Sequence, residues 1–378
     1  MIIGVPKEIK NNENRVGLVP SSVRELTHHG HQVIMESSAG EGVGLTDEAY
    51  KAAGASISPS HDEVYKKSDM IVKVKEPQPR EIKLLKRDQI LFAYLHLAAD
   101  QEQTQGLLDS GCIAIAYETV TSPKGGLPLL TPMSEVAGRM SIQVGAHCLE
   151  KEKGGSGILL SGVPGVKPGK ITILGGGVVG TNAARVATGI GAKVTVLDKS
   201  IHRLNELDAI FGGKLTTQYA TIEAIEQAVL ESDLVIGAVL VPGSATPKLV
   251  SEDMVKRMKK GSVLVDVAID QGGCFETSKP TTFAHPTYVE YGVVHYCVTN
   301  MPGAVARTSA FALNNSTLPF VLEIANKGYD TALRDDPNLR EGLNVYKGNI
   351  TYKAVANDLG LKYRESIEVI GNGYINSI

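Results

Sequence analysis

Tryptophan is absent from this 378-residue chain, phenylalanine occurs only six times, and no run of about 18 apolar residues is present. Without such a run no membrane-spanning helix is expected. Cysteine is scarce too: Cys112, Cys148, Cys274 and Cys297 form no C-x-x-C pair, so neither a zinc cluster nor a disulfide framework is indicated, and most read as small core residues. Met1 to Pro6 lacks the basic start and long apolar stretch of a secretory signal, so a soluble, cytoplasmic protein is expected. Neither charge dominates. With 38 basic and 41 acidic residues the net charge is -3, which leaves no broad footprint for nucleic acid or an anionic membrane and points to a small-molecule partner. No short repeat or low-complexity segment is visible.

What is abundant is glycine, with 40 residues, as a chain with many tight strand-to-helix turns requires. The length suggests two α/β domains, each able to bury a core. Apolar runs predict strands at Ile2 to Pro6, His31 to Glu36, Asp69 to Lys75, Ile90 to His96 and Cys112 to Glu118, separated by helix-compatible stretches such as Ser21 to Gly30. A long helix is expected from Thr131 to about Lys153, then a Gly- and Pro-rich loop from Gly154 to Gly169. A second series of strands follows at Ile171 to Leu174, Lys193 to Asp198, Lys214 to Tyr219, Asp233 to Val239, Ser262 to Val267 and Val293 to Val298. Beyond Arg307 the pattern turns helical, and the remainder is too short for a third such domain. The expected fold class is therefore α/β with two doubly wound Rossmann-like domains, the substrate domain discontinuous: residues 1–129 and 308–378 around a dinucleotide-binding domain of residues 130–307.

Lys170 to Leu174 leads into Gly175-Gly176-Gly177-Val178-Val179-Gly180, followed by helical composition, which is the strand-loop-helix context of a dinucleotide fingerprint. Gly175 suits the tight turn, Gly177 the close approach of a pyrophosphate, and Gly180 close packing of helix on strand. Asp198 ends the next strand about 20 residues on, where a carboxylate accepts hydrogen bonds from the adenosine ribose. That carboxylate repels a 2′-phosphate, so NAD is favoured over NADP. Nearby Arg203 either meets a phosphate or is a solvated helix charge.

Candidates for chemistry gather at predicted strand ends, where ligands of open α/β sheets collect. Arg15, in a polar loop after the first strand, has the forked geometry for a carboxylate, though an ordinary surface arginine reads the same way. Lys75 ends one strand and His96 another; the lysine is a donor to an oxygen, and the histidine is suited to move protons near neutral pH. Asp270, in Asp266-Val-Ala-Ile-Asp270, either holds a substrate ammonium or a water, or caps a turn, as Asp266 also can.

Taken together, Gly4-Val-Pro-Lys-Glu8 with Arg15-Val, Val72-Lys-Val-Lys-Glu-Pro77, Tyr94-Leu-His96, the Gly175 loop, Asp266 to Gly273 and Asn300-Met-Pro-Gly-Ala-Val-Ala-Arg-Thr308 resemble the alanine dehydrogenase and transhydrogenase superfamily over essentially the whole chain. The spacing follows its dehydrogenase branch. The resemblance implies reversible deamination of L-alanine to pyruvate and ammonium with NAD, in a homo-hexamer. It implies Arg15 and Lys75 as substrate-binding residues and His96 and Asp270 as catalytic acid/base groups. It further implies an NAD site lined by Ser134, Val178, Val179, Asp198, Arg203, Val239, Leu240, Val267, Ala268, Ile269, Asp270, Val298, Thr299, Asn300 and Met301. Ala220 stands where the resemblance leads one to expect a serine, which removes one adenosine-side contact. Competing readings are the NAD-binding part of a proton-translocating transhydrogenase, a saccharopine-type dehydrogenase, and a nucleotide-sensing protein that keeps the fold without catalysis.

Overall fold

A computed structural model describes residues 1–239 and 246–371, and among these residues fifteen strands are arranged, with the helices between them, as two sheets. The chain divides into a unit formed by residues 1–133 and 305–378 and a unit formed by residues 134–304.

The first unit carries β1 (Ile2–Val5), β2 (Gln32–Glu36), β3 (Ser56–Ser58), β4 (Met70–Val72), β5 (Ile90–Ala93) and β6 (Ile113–Ala116). The second carries β7 (Lys170–Leu174), β8 (Lys193–Asp198), β9 (Thr216–Tyr219), β10 (Leu234–Gly237), β11 (Val263–Asp266), β12 (Thr287–Glu290) and β13 (Val293–Tyr296). The chain then returns to the first unit with β14 (Leu343–Tyr346) and β15 (Asn349–Ile350).

The first sheet has the order β15-β14-β6-β5-β4-β1-β2-β3. Strands β1 to β6 pair in parallel, whereas β14 runs antiparallel to β6 and β15 antiparallel to β14. The parallel strands are short and rich in Ile, Val and Ala because both faces are covered: β4, β5 and β6 are buried throughout. Ile71, Leu91, Ala114 and Val345 from four neighbouring strands meet in one apolar cluster. Chain direction across the sheet reverses at β1, with β2 on one side and β4 on the other. The crevice beyond the carboxyl ends of β1 and β4 is thus the topological switch point, the position at which such sheets bind ligands.

The second sheet has the order β12-β13-β11-β10-β7-β8-β9, parallel except for β12. Its switch point lies between β7 and β10. Val235 and Leu264 lie in the core on this side with Val229, Val255 and Phe275. All four cysteines are free and buried.

Several predicted boundaries move. The run expected to be strand through Lys75 stops at Val72, and the one through His96 stops at Ala93, so both residues sit in the loops that follow rather than in the sheet. The long helix spans Thr131–Cys148 and passes into a short 3-10 turn at Lys151–Lys153 instead of continuing. Among the described residues no helix is long and apolar enough to cross a membrane.

Candidate functional site

In the second unit, the loop from β7 turns through Gly175 at φ +99°, a left-handed conformation that favours glycine. A side chain there would meet the Ala238 carbonyl oxygen at 2.8 Å and Val239 at 3.0 Å, so the loop passes against the end of β10. Gly177 is the N-cap of the helix Val178–Gly189. A Cβ on Gly177 would meet nothing of the protein within 4 Å, whereas one on Gly180 would stand 1.8 Å from the Gly175 oxygen. The two glycines therefore serve different ends: Gly180 lets the helix close on its own loop, and Gly177 leaves open the space in front of the helix amino end. That space, faced by unpaired helix N–H groups, fits a pyrophosphate.

The Asp198 carboxylate is anchored beside this loop, accepting from the Gly176 N–H at 2.7 Å and the Ser200 N–H at 2.8 Å. Both bonds come from backbone, so the carboxylate keeps further lone-pair positions for a diol. The Arg203 side chain reaches the glycine loop: its Nε donates to the Gly176 carbonyl at 2.6 Å and its Nη2 to Thr181 Oγ1 at 2.5 Å, while Nη1 pairs with Glu206 on the same helix. It holds the glycine loop from behind.

Asp266 and Asp270 separate clearly. Asp266 is wholly buried and accepts from the N–H groups of Ala268 at 3.1 Å and Cys274 at 2.9 Å and from Ser278 Oγ at 2.5 Å. Burial raises its pKa above the usual carboxylate value, with these hydrogen bonds opposing the rise. It is the residue that ties the turn. Asp270, in the 3-10 turn Ile269–Gln271, is exposed and lies 3.5 Å from the Asn300 N–H. Asn300 itself adopts φ 56°, a left-handed conformation at a non-glycine residue. Val267 is half-buried, Ala268, Ile269, Val298 and Met301 are buried, and Thr299 N–H reaches the Thr281 oxygen at 3.4 Å. Ser134 is half-buried in the first turns of the helix Thr131–Cys148, and Leu240 lies outside the described residues.

In the first unit, Arg15, Lys75 and His96 lie in the segments that leave β1, β4 and β5. Arg15 is buried, and Glu13 grips one edge of its guanidinium, Nη2 to Oε2 at 2.5 Å and Nε to Oε1 at 2.7 Å. Nη1 donates to the Met133 thioether at 3.1 Å, a weak acceptor. Burial works to raise the Glu13 pKa, but the bonds and charge of Arg15 outweigh it and hold the carboxyl below its usual value. Lys75 is half-buried, and among the described residues no carboxylate lies within 4.0 Å of its ammonium. Burial first, and then the neighbouring Arg15 cation, push its pKa below the usual lysine value. The two cations are thus close enough to disfavour each other, and Glu13 offsets this in part.

The Lys75 loop is fixed by a buried charged network that the sequence reading missed. Glu8 Oε1 accepts from the N–H of Val74 at 2.7 Å and of Lys75 at 3.4 Å, and Glu8 Oε2 is 3.1 Å from the Lys73 ammonium. Lys73 in turn meets Glu81 at 2.7 Å, and His61 stands 3.4 Å from Glu81 and 2.6 Å from Glu36. The alternation Val72-Lys-Val-Lys gives no such signal, since residues two apart share one face of a strand; β4 ends at Val72, and Lys73 and Lys75 part in the loop beyond it.

His96 is half-exposed, and its backbone adopts φ 52°, ψ 41°. Glu118, just after β6, is a second residue the sequence did not single out; its carboxylate accepts from the N–H of His96 at 2.6 Å. Tyr94 lies beneath, its ring nearly parallel to the imidazole at 9° and 6.0 Å.

The Alanine dehydrogenase/PNT N-terminal domain model matches residues 4–137, and the corresponding C-terminal domain model matches residues 141–353. The chain belongs to the alanine dehydrogenase/PNT family. Within this family it is 61% identical over 371 residues to an alanine dehydrogenase of Halomonas elongata, covering 98% of this chain and 100% of that one. It is 57% identical to the alanine dehydrogenase of Bacillus subtilis, covering 96% of each. A solved L-alanine dehydrogenase superposes with a TM-score of 0.93 at 54% identity, covering 95% of this chain and 99% of that one. A transhydrogenase from Sinorhizobium meliloti, at 23% identity and TM-score 0.82 over 93% of this chain and 100% of that one, shares the fold.

Proposed function

We propose that the chain is an NAD-dependent amino-acid dehydrogenase that interconverts L-alanine with pyruvate and ammonium. Full-length identity of 57–61% to proteins named alanine dehydrogenase carries this reading. The paired cations Arg15 and Lys75 support it, since they suit a small carboxylate.

NAD, when bound, accepts the hydride that leaves alanine Cα. The glycine loop with Val178 and Val179 would hold its pyrophosphate, Asp198 its adenosine ribose, and the Val267–Asp270 and Val298–Met301 segments, with Ser134 and Val239, its remaining length. Arg15, oriented by Glu13, binds the substrate carboxylate, and Lys75 donates to the oxygen that becomes the pyruvate carbonyl. Loss of hydride from neutral-amine alanine leaves an iminium, which water attacks at carbon. His96 removes the proton from that water as the C–O bond forms. The carbinolamine then collapses: the C–N bond breaks, nitrogen departs as ammonia after protonation, and the hydroxyl proton is lost as the carbonyl forms. Lys75 stabilises the negative charge developing on that oxygen, and Asp270 orients nitrogen or water. In this reading the enzyme works in the cytoplasm as a homo-hexamer.

Oxidation of NADH by pyruvate with and without ammonium tests the proposal. Oxidation that requires ammonium and yields alanine is expected. Oxidation without ammonium, yielding lactate, would assign a hydroxyacid dehydrogenase instead.

A further inference from the structure

His96 is one of seven non-glycine residues with positive φ among those described, at φ 52°. A left-handed backbone is disfavoured for an L-residue, and it persists only where neighbouring groups fix it. The neighbouring group here is a single carboxylate. Glu118 Oε1 accepts from the His96 N–H at 2.6 Å and from the Leu95 N–H at 3.1 Å, and Oε2 lies 3.2 Å from the same Leu95 N–H. These charge-assisted bonds satisfy two consecutive N–H groups that the end of β5 leaves without a strand partner. Glu118 is well placed to hold them because it lies in the 3-10 turn Tyr117–Thr119 directly after β6, and β6 pairs with β5 through Ala93↔Ala116.

The same carboxylate also faces the imidazole. His96 Nδ1 is 4.0 Å from Glu118 Oε1, while the Glu118 side chain is largely buried and that of His96 is 48% exposed. An anion on the Nδ1 side favours the tautomer with the proton on Nδ1, which leaves the Nε2 lone pair on the open side of the ring. The Tyr94 ring, nearly parallel to the imidazole and itself tethered through its hydroxyl to the Leu129 carbonyl at 2.5 Å, limits how the ring tilts.

We propose that Glu118 is the positioning residue for His96: it clamps the left-handed turn through the Leu95 and His96 N–H groups and directs Nε2 toward the reacting water. This rests on the assignment of His96 as the proton-transfer group above. Glu118 itself touches neither substrate nor cofactor in this reading, so it acts on turnover and not on affinity.

The test combines four purified full-length variants: His96→Ala, Glu118→Ala, Glu118→Gln and the His96→Ala/Glu118→Ala double variant, assayed in both directions with NADH titrated separately. Glu118→Ala is expected to lower kcat at least about tenfold, with KM for alanine and pyruvate within about threefold and NADH affinity unchanged. Glu118→Gln keeps an oxygen for the two N–H groups and is expected to recover kcat to within about threefold of the parent. The double variant is expected to be no slower than His96→Ala alone, because a group acting only through His96 has nothing left to position. A Glu118→Ala kcat within twofold of the parent overturns the proposal while leaving the His96 assignment standing. So does a double variant slower than His96→Ala by the full factor seen in Glu118→Ala, which would mark an independent structural role. Should Glu118→Ala fail to fold, a Glu118→Gln variant that loses as much kcat as His96→Ala would overturn it as well. Undiminished turnover of His96→Ala would remove both assignments.

Discussion

Replacing Gly177 with alanine separates cofactor binding from folding more cleanly than any other change in the loop. Gly177 has φ -64°, ψ -161°, a conformation open to alanine, and the added Cβ would find no protein atom within 4 Å. The uncomplexed protein should therefore melt where the parent does, or slightly higher, because alanine removes about 0.4–1 kcal/mol of backbone freedom from the unfolded chain. The same methyl group stands in the space facing the helix amino end. Losing one charge-assisted hydrogen bond to a phosphate there costs about 1.5–3 kcal/mol, which is roughly ten- to hundredfold in Kd. Gly180→Ala is the contrast: its Cβ would lie 1.8 Å from the Gly175 oxygen, so helix and loop must part and the uncomplexed protein itself should lose stability. Melting followed by circular dichroism reads the first quantity, and NADH fluorescence reads the second without interference, since the chain has no tryptophan. Parent-like NADH affinity in Gly177→Ala would refute the assignment of that space to the pyrophosphate. A fall in melting temperature as large as that of Gly180→Ala would refute the reading of Gly177 as unencumbered.

Asp198→Ala should weaken NAD binding and narrow the preference against NADP, because it removes both a ribose acceptor and the partner of the Gly176 N–H; unchanged NAD/NADP ratios in steady-state assays would contradict the ribose role. The buried network should make stability depend on pH. Burial opposes the charged ring of His61, yet Glu36 and Glu81 raise its pKa from 6.5 to about 9. Its contribution is fully present below the unfolded value and is lost as pH rises through about 9. Glu81, brought down from 4.5 to about 2 against the effect of burial by His61 and Lys73, contributes above its unfolded value and loses that contribution as pH falls toward about 2. Melting temperature should therefore fall between pH 7 and pH 9.5 in the parent and fall less in His61→Gln; equal slopes would remove His61 as the cause.

The α/β class and the cofactor loop were legible in the sequence because both are local. A buried parallel strand is a short β-branched run, as in Leu234–Gly237 and Val263–Asp266, and the glycine loop is contiguous with its strand and helix. Strands without that signature escaped: Ser56–Ser58 is three residues with serine at both ends, and Thr287–Glu290 is a half-exposed antiparallel edge. Leu343–Tyr346 is buried but comes late in a helical region, and its pairing with β6 joins residues more than two hundred positions apart. Long range is also why the supporting residues of the site went unnoticed. Glu118 lies 22 residues from His96, and Glu8 lies 66 residues from Val74. Arg203 shows a subtler limit. Its charge and its place after Asp198 were visible, but its bond to the Gly176 carbonyl depends on how the loop folds back, which composition does not encode.

NADH formation at alkaline pH across a panel of L-amino acids, read beside the consumption of pyruvate and ammonium, measures the reaction itself. L-alanine is expected to be oxidised well ahead of the rest of the panel, with pyruvate and ammonium formed in equal amounts and the reverse reaction supported by the same protein. NAD binding without oxidation of any amino acid would contradict that expectation.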